Sequence, residues 1–190
     1  TNIGIAHSEG FEGQDSKMEE KFILFESVDT LITKHIYKPS AIRYCKSNIK
    51  LFTWSDTDPD ATVRMQLTPK KKSTIITVHY GERIEKVEIP FFDTASIENA
   101  CQCIAFLLFQ YGHLRDFVDK FIHLDSVQMR LETKQGLYGS ILINDYYNSD
   151  VNSLALSLDI LQRHAPLEGR IVILSDILQS GIEAAELCRI

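Results

Sequence analysis

At 190 residues, with 44% hydrophobic and 24% charged side chains, the chain has the composition of a soluble globular protein, either one ordinary domain or two small ones. A formal net charge of −6 argues against a nucleic-acid or anionic-membrane surface, and no apolar run approaches the roughly twenty residues that a membrane span needs. Cys45, Cys101, Cys103 and Cys188 lack metal-ligand spacing, which, with no signal peptide, points to a reduced, cytoplasmic chain. The chain opens on Thr1 rather than Met, as expected of a piece cut from within a folded domain.

Residues 1–7, T-N-I-G-I-A-H, read as a strand end and the loop after it, with His7 on chemistry alone a surface histidine. A helix is expected over 14–27, with Met18, Phe22 and Phe25 on successive turns; Lys17 and Lys21 then stack at i, i+4, and Lys21 is ordinarily a solvated residue. A short strand over 30–36 precedes Lys38-Pro39-Ser40 and a short helix reaching 48, and 50–54 reads as another strand, with Trp54 a packing residue. Alternation marks strands at 63–67, 74–80 and 83–89, with Gly81-Glu82 as the hairpin turn between the last two. The basic run Lys70-Lys71-Lys72 reads as a solvated loop that could also attract phosphate. Thr94 to Tyr111 carries the strongest helical pattern: Ile97, Cys101, Ile104, Leu108 and Tyr111 form one stripe, Thr94 or Ser96 can cap it, and Gly112 can end it.

A linking helix is expected over 113–124, before Q-M-R-L-E at 128–132, where Arg130 alone would read as a surface salt-bridge residue. Ile141-Leu142-Ile143 then forms a short apolar run of the kind buried on both faces of a sheet. It stops in the polar cluster N-D-Y-Y-N-S-D at 144–150, after which Val151, Leu154, Leu158 and Leu161 recur at helical spacing with Asp150 at the N-cap. Strand, polar turn and helix is the unit that presents ligand-binding groups at the carboxyl end of an α/β sheet, though the same residues also suffice for a plain turn and cap. A second buried strand is expected over 170–174, ending in S-D-I-L-Q-S-G at 175–181.

Taken in order, these stretches resemble the landmarks of the Mur ligase family. T-N-I-G-x-A-H followed by a lysine fourteen residues on is similar to the middle, ATP-binding domain; Asn99-Ala100 matches a pair placed at the adenine ring; M-R-L-E is similar to the opening of the third domain; and N-D-x-Y-N-S-D matches the motif at that domain's first strand end. Within the family the spelling is nearest to members that add D-alanyl-D-alanine to UDP-N-acetylmuramoyl-tripeptide through an acyl phosphate, in a subgroup fused ahead of an alanine racemase. The resemblance implies an α/β fold: residues 1–122 as the later part of the ATP-binding domain with a mixed sheet, and 123–190 as the start of a Rossmann-like third domain with strands near 139–144 and 170–174.

It further implies ATP and Mg²⁺ as cofactors, with His7 and a carbamylated Lys21 at the metal. Carbamylation needs the uncharged amine. Arg130 would reach the ATP phosphates, Asn99 the adenine, Asp145 the ribose and phosphates, and Tyr147 and Asn148 the incoming dipeptide. Peptidoglycan biosynthesis, and so cell-wall and cell-shape maintenance, is the implied setting. No G-x-x-x-x-G-K-[ST] occurs in the chain, so this piece alone is expected to be inactive. Truncated sheet edges would favour self-association. The family pattern is broken at Ala95, Met129, Ser175 and Gln179, which keeps open a degenerate domain serving as scaffold for a fused partner; a folylpolyglutamate synthase-like ligase is the other alternative.

Overall fold

A computed structural model describes residues 13–125, 132–146, 151–175 and 177. Met18–Asp125 form one compact unit; the described residues from 132 onward, with 13–17, belong to another.

Helix α1 (Gln14–Ile23), which enters the first unit at Met18, stops short of the expected end at 27, and turns follow it. Phe22 is its buried anchor, packed edge-on to Phe25 and against Tyr44 at centroid distances of 5.6 and 6.1 Å. Strands β1 (Thr30–Lys34) and β2 (Lys50–Ser55) pair in parallel from Thr30↔Lys50 to Lys34↔Trp54. Parallel pairing needs a crossover; here it is a single 3₁₀ turn at His35–Tyr37 and helix α2 (Lys38–Tyr44), which carries Pro39 in its first turn, where the missing N–H costs nothing. Strand β3 (Val63–Pro69) joins β2 in parallel only over Trp54↔Val63 and Ser55↔Arg64, then runs antiparallel to β4 (Thr74–Tyr80), which pairs with β5 (Arg83–Ile89). The hairpin turn expected at Gly81-Glu82 has Gly81 at φ +58°, where a Cβ would strain the backbone. The result is a five-stranded mixed sheet in the order β1-β2-β3-β4-β5.

Alternation divides this sheet into two chemically distinct faces. Trp54, Val63, Met65, Ile76, Val78, Val87 and Ile89 point one way and are 0–3% exposed. Helix α3 (Thr94–Tyr111) covers that face with Ala100, Cys101, Ile104, Ala105 and Leu108. Each of the larger aliphatic side chains buried here contributes about 1.5–3 kcal/mol by leaving water. The stripe is the expected one, but the cap is not: Asp93 Oδ1, rather than Thr94 or Ser96, accepts from the Ser96 backbone N–H at 2.8 Å. Gly112 ends the helix at φ +72°, its N–H donating to the Leu108 carbonyl. The opposite face, with Arg64, Gln66, Thr77, His79 and Lys86, is polar and open over β3–β5.

The linking helix expected over 113–124 shrinks to one turn, α4 (Val118–Phe121). The reason is tertiary: the Leu114 N–H is taken by the Glu85 carboxylate, with both oxygens at 3.1 Å, and fully buried Leu114 anchors to the sheet instead of extending a helix.

In the second unit β6 (Glu132–Gln135) and β7 (Ile141–Asn144) form an antiparallel pair, joined through a 3₁₀ turn at Leu137–Gly139. Helix α5 (Val151–His164) starts where the period changes; its expected N-cap, Asp150, lies outside the described residues. Two expectations need correction. The run in β7 is not buried on both faces, since Ile141 and Leu142 are 44% and 51% exposed. Residues 170–174 are not a strand: they have no ladder partner among the described residues, and Ile171 and Ile173 are 83% and 94% exposed. A strand is made by its neighbour, and here β7 pairs with β6, while Arg170 is bound back to the end of α5 through its side chain and the Ala165 carbonyl at 2.8 Å. The fold class is as expected, α/β with a mixed sheet, and the strand-to-helix half of the expected Rossmann-like unit is formed.

Candidate functional site

Where the parallel strands β1 and β2 end, a polar cluster meets the first turns of α3. Lys34, the last residue of β1, donates to Glu98 Oε1 at 2.6 Å, lies 3.7 Å from Asp56 Oδ1, and sits over the Trp54 ring at 5.3 Å. Trp54 is a buried packing residue, as expected, and its indole N–H donates to Gln102 Oε1 at 2.8 Å. Gln102 in turn donates to the Ile32 carbonyl at 3.0 Å, so α3 is latched to both strands by side chains. Burial pulls the Lys34 ammonium toward neutrality, but the hydrogen bond and charge of Glu98, with Asp56 behind it, outweigh that and hold its pKa above the usual lysine value. Beneath the cluster, burial, with Asp56 and Glu98 adding to it against Lys34, pushes the Cys101 thiol up to about 12. That cysteine is a core residue and not a nucleophile.

Asn99 follows Glu98 by one residue, a rotation of about 100° around the helix. Glu98 turns to Lys34, Ala100 is buried, and Asn99 is exposed to solvent on the first turns of the helix. An exposed side-chain amide, beside a helix start fixed by four side-chain contacts, can donate to and accept from a flat heterocycle edge.

In the second unit, Asp145 follows β7 directly and accepts from Ser157 Oγ of α5 at 2.9 Å. Ser157 holds the carboxylate over the helix. Beside it, β7, α5 and 171–174 line a largely apolar cavity of about 350 Å³, with Asp145 and Ser157 among its polar lining.

Of the residues singled out by sequence, Lys21 lies in the last turn of α1, half-buried and without an ion-pair partner among the described residues. Asn99 and Asp145 are placed as above, in different units. His7, Arg130, Tyr147 and Asn148 lie outside the described residues. No group of three or more His, Cys, Asp and Glu side chains close enough to hold a metal ion occurs among the described residues. Of the implied metal pair, Lys21 alone lies among the described residues. Lys34, Asp56 and Gln102 were not singled out from sequence, because their contacts reach across as many as 70 positions. The basic loop is partly neutralised: Lys70 pairs with Glu88 at 3.0 Å.

No protein-family profile and no curated protein matches the chain. Solved structures do. A structure of MurF from Acinetobacter baumannii matches with a TM-score of 0.69 at 20% identity, over 86% of this chain and 36% of that one. The MurF ligase from Thermotoga maritima, in complex with ADP, matches with a TM-score of 0.60 at 18% identity, over 85% and 38%. A UDP-N-acetylmuramoyl-L-alanyl-D-glutamate–2,6-diaminopimelate ligase matches with a TM-score of 0.58 at 20% identity, over 84% and 34%. The chain spans little more than a third of the length of these proteins, and over most of its own length it has the Mur ligase fold.

Proposed function

We propose that this chain is part of an ATP-dependent Mur-type ligase that adds D-alanyl-D-alanine to UDP-N-acetylmuramoyl-tripeptide in the cytoplasm, for peptidoglycan synthesis. The observation that carries the proposal is the fold likeness to MurF structures over 86% of the chain, along which the sequence landmarks of the family recur in order. The ADP complex of the Thermotoga maritima enzyme supports nucleotide use.

In this reading ATP, when bound, supplies the phosphoryl group that activates the tripeptide carboxylate. The chain's own residues bind and orient. Asn99 contacts the adenine, and the Lys34–Glu98 and Trp54–Gln102 contacts hold the helix that presents it. Lys21, as a carbamate, and His7 hold Mg²⁺. Asp145, steadied by Ser157, meets the ribose and phosphates. Arg130 meets the phosphates, and Tyr147 and Asn148 the incoming dipeptide. Charge neutralisation and positioning supply the rate in such transfers.

The test is a ligation assay on the full-length protein that contains this chain. Phosphate release should require Mg²⁺, the muramoyl tripeptide and D-alanyl-D-alanine together. Full-length protein that is folded yet silent with this set, or that instead extends a folyl glutamate, would overturn the proposal. The isolated 190-residue chain should show no ligation.

A further inference from the structure

The open face of the first unit's sheet carries a cavity that the ligase reading does not use. It has a volume of about 250 Å³; Arg64, Gln66 and His79 form its floor, and the loop from Ser55 to Pro59 forms one wall. The register places Ser55, Arg64 and His79 in one row across β2, β3 and β4, on the face away from α3. Side chains directly opposed on such a face stand about 5 Å apart at Cβ.

The wall is held rigidly. Ser55 Oγ accepts from the backbone N–H of Thr57 at 3.1 Å and of Asp58 at 2.9 Å. Asp58 Oδ1 accepts from the Asp60 N–H at 2.9 Å. The other oxygen, Oδ2, has His35 Nε2 at 3.7 Å, beyond hydrogen-bond length, and no hydrogen-bond donor among the described residues. Asp56, the second acid of the wall, is instead drawn to Lys34. Across the cavity Arg64 is exposed and makes no hydrogen bond or ion pair among the described residues.

A guanidinium and a carboxylate therefore line one small cavity without touching. A lone anion would meet Asp56 and Asp58, and a lone cation would meet Arg64; a molecule carrying both charges satisfies both walls. We propose that this cavity binds a small zwitterion, an α-amino acid or a dipeptide, with its carboxylate on Arg64 and its ammonium on Asp58. The carboxylate suits the planar donor fork of arginine, and Gln66 and His79 add further hydrogen-bonding groups to the floor.

The test is a heteronuclear NMR titration of the full chain with glycine and with glycylglycine, with acetate and ethylamine as singly charged analogues. Saturable shifts confined to residues 55–66 and 79 are expected. Arg64→Gln and Asp58→Asn should each weaken binding about tenfold, the worth of one charge-assisted contact, and both analogues should bind at least about tenfold more weakly than the zwitterions. Lys71→Gln, in the exposed basic loop, should bind as the unaltered chain does, and unchanged amide spectra away from the cavity establish that each variant is folded. The proposal is overturned if neither zwitterion gives saturable shifts at these residues, if an analogue binds equally well, or if folded Arg64→Gln and Asp58→Asn retain full affinity.

Discussion

Replacing Lys34 with methionine tests whether the cluster at the ends of β1 and β2 stabilises the fold. The substitution keeps most of the aliphatic stem and removes the ammonium that both Glu98 and Asp56 face. At an effective dielectric of about 20, unit charges at the Lys34–Glu98 separation attract by roughly 6 kcal/mol before desolvation. Both side chains are about a quarter exposed, at 25% and 24%, so desolvation and residual solvent screening offset most of that. A net loss of about 1–2 kcal/mol is expected for Lys34→Met, as for a charge-assisted hydrogen bond of partial burial. Urea unfolding at neutral pH measures it, and a double-mutant cycle with Glu98→Gln isolates the pair, with an expected coupling of about 1 kcal/mol. The sign with pH follows from the raised lysine pKa: the contribution is fully present below the unfolded-state value near 10.4 and is lost as pH rises through the higher folded value. A coupling indistinguishable from zero at neutral pH would refute the reasoning.

Three further outcomes are expected. Asp93→Ala should cost about 1 kcal/mol in urea unfolding, whereas Thr94→Ala should change little, because it is the Asp93 side chain that accepts from the Ser96 backbone N–H in the first turn. Site-mapped alkylation of the folded chain near pH 8 should modify exposed Cys103 and spare Cys101, whose thiol is buried with its pKa pushed up to about 12; modification of Cys101 should appear only on unfolding. In the full-length ligase Asn99→Ala should raise KM for ATP with little loss of stability, since Asn99 is exposed on α3; an unchanged KM would remove its adenine role.

How far the fold could be read in advance follows from where each signal resides. The bounds of β4, β5 and α3 were legible because a strand of period two and a helix stripe are written within one contiguous segment. The helix cap was not, because Asp93, Thr94 and Ser96 all carry suitable oxygens and only the path of the chain into α3 selects Asp93. Residues 113–124 and 170–174 failed for a common reason. Their patterns were compatible with a helix and a strand, but the outcome was set by partners distant in sequence: Glu85 captures the Leu114 N–H, and no ladder partner among the described residues meets 170–174.

The candidate site divides along the same line. Helix phase alone separates Glu98 from Asn99: with Cys101, Ile104 and Leu108 facing the sheet, residue 98 falls beside position 101, while residue 99 falls toward exposed Cys103 and Phe106. An exposed asparagine on the first turns of α3 was therefore deducible from the stripe, before any likeness to a family was considered. What Glu98 does with its inward position was not deducible, because the cation it meets ends a strand 64 residues earlier. Lys21 and Asp145 show the limit in another way. Each could be assigned to an element by local pattern, and each is found on that element or directly beside it, yet they belong to separate compact units. Motif order along a chain carries no distance between units, so a nucleotide shared by the two must be argued from chemistry measured on the whole enzyme, by whether Lys21→Ala and Asp145→Asn each abolish the same ATP-dependent step.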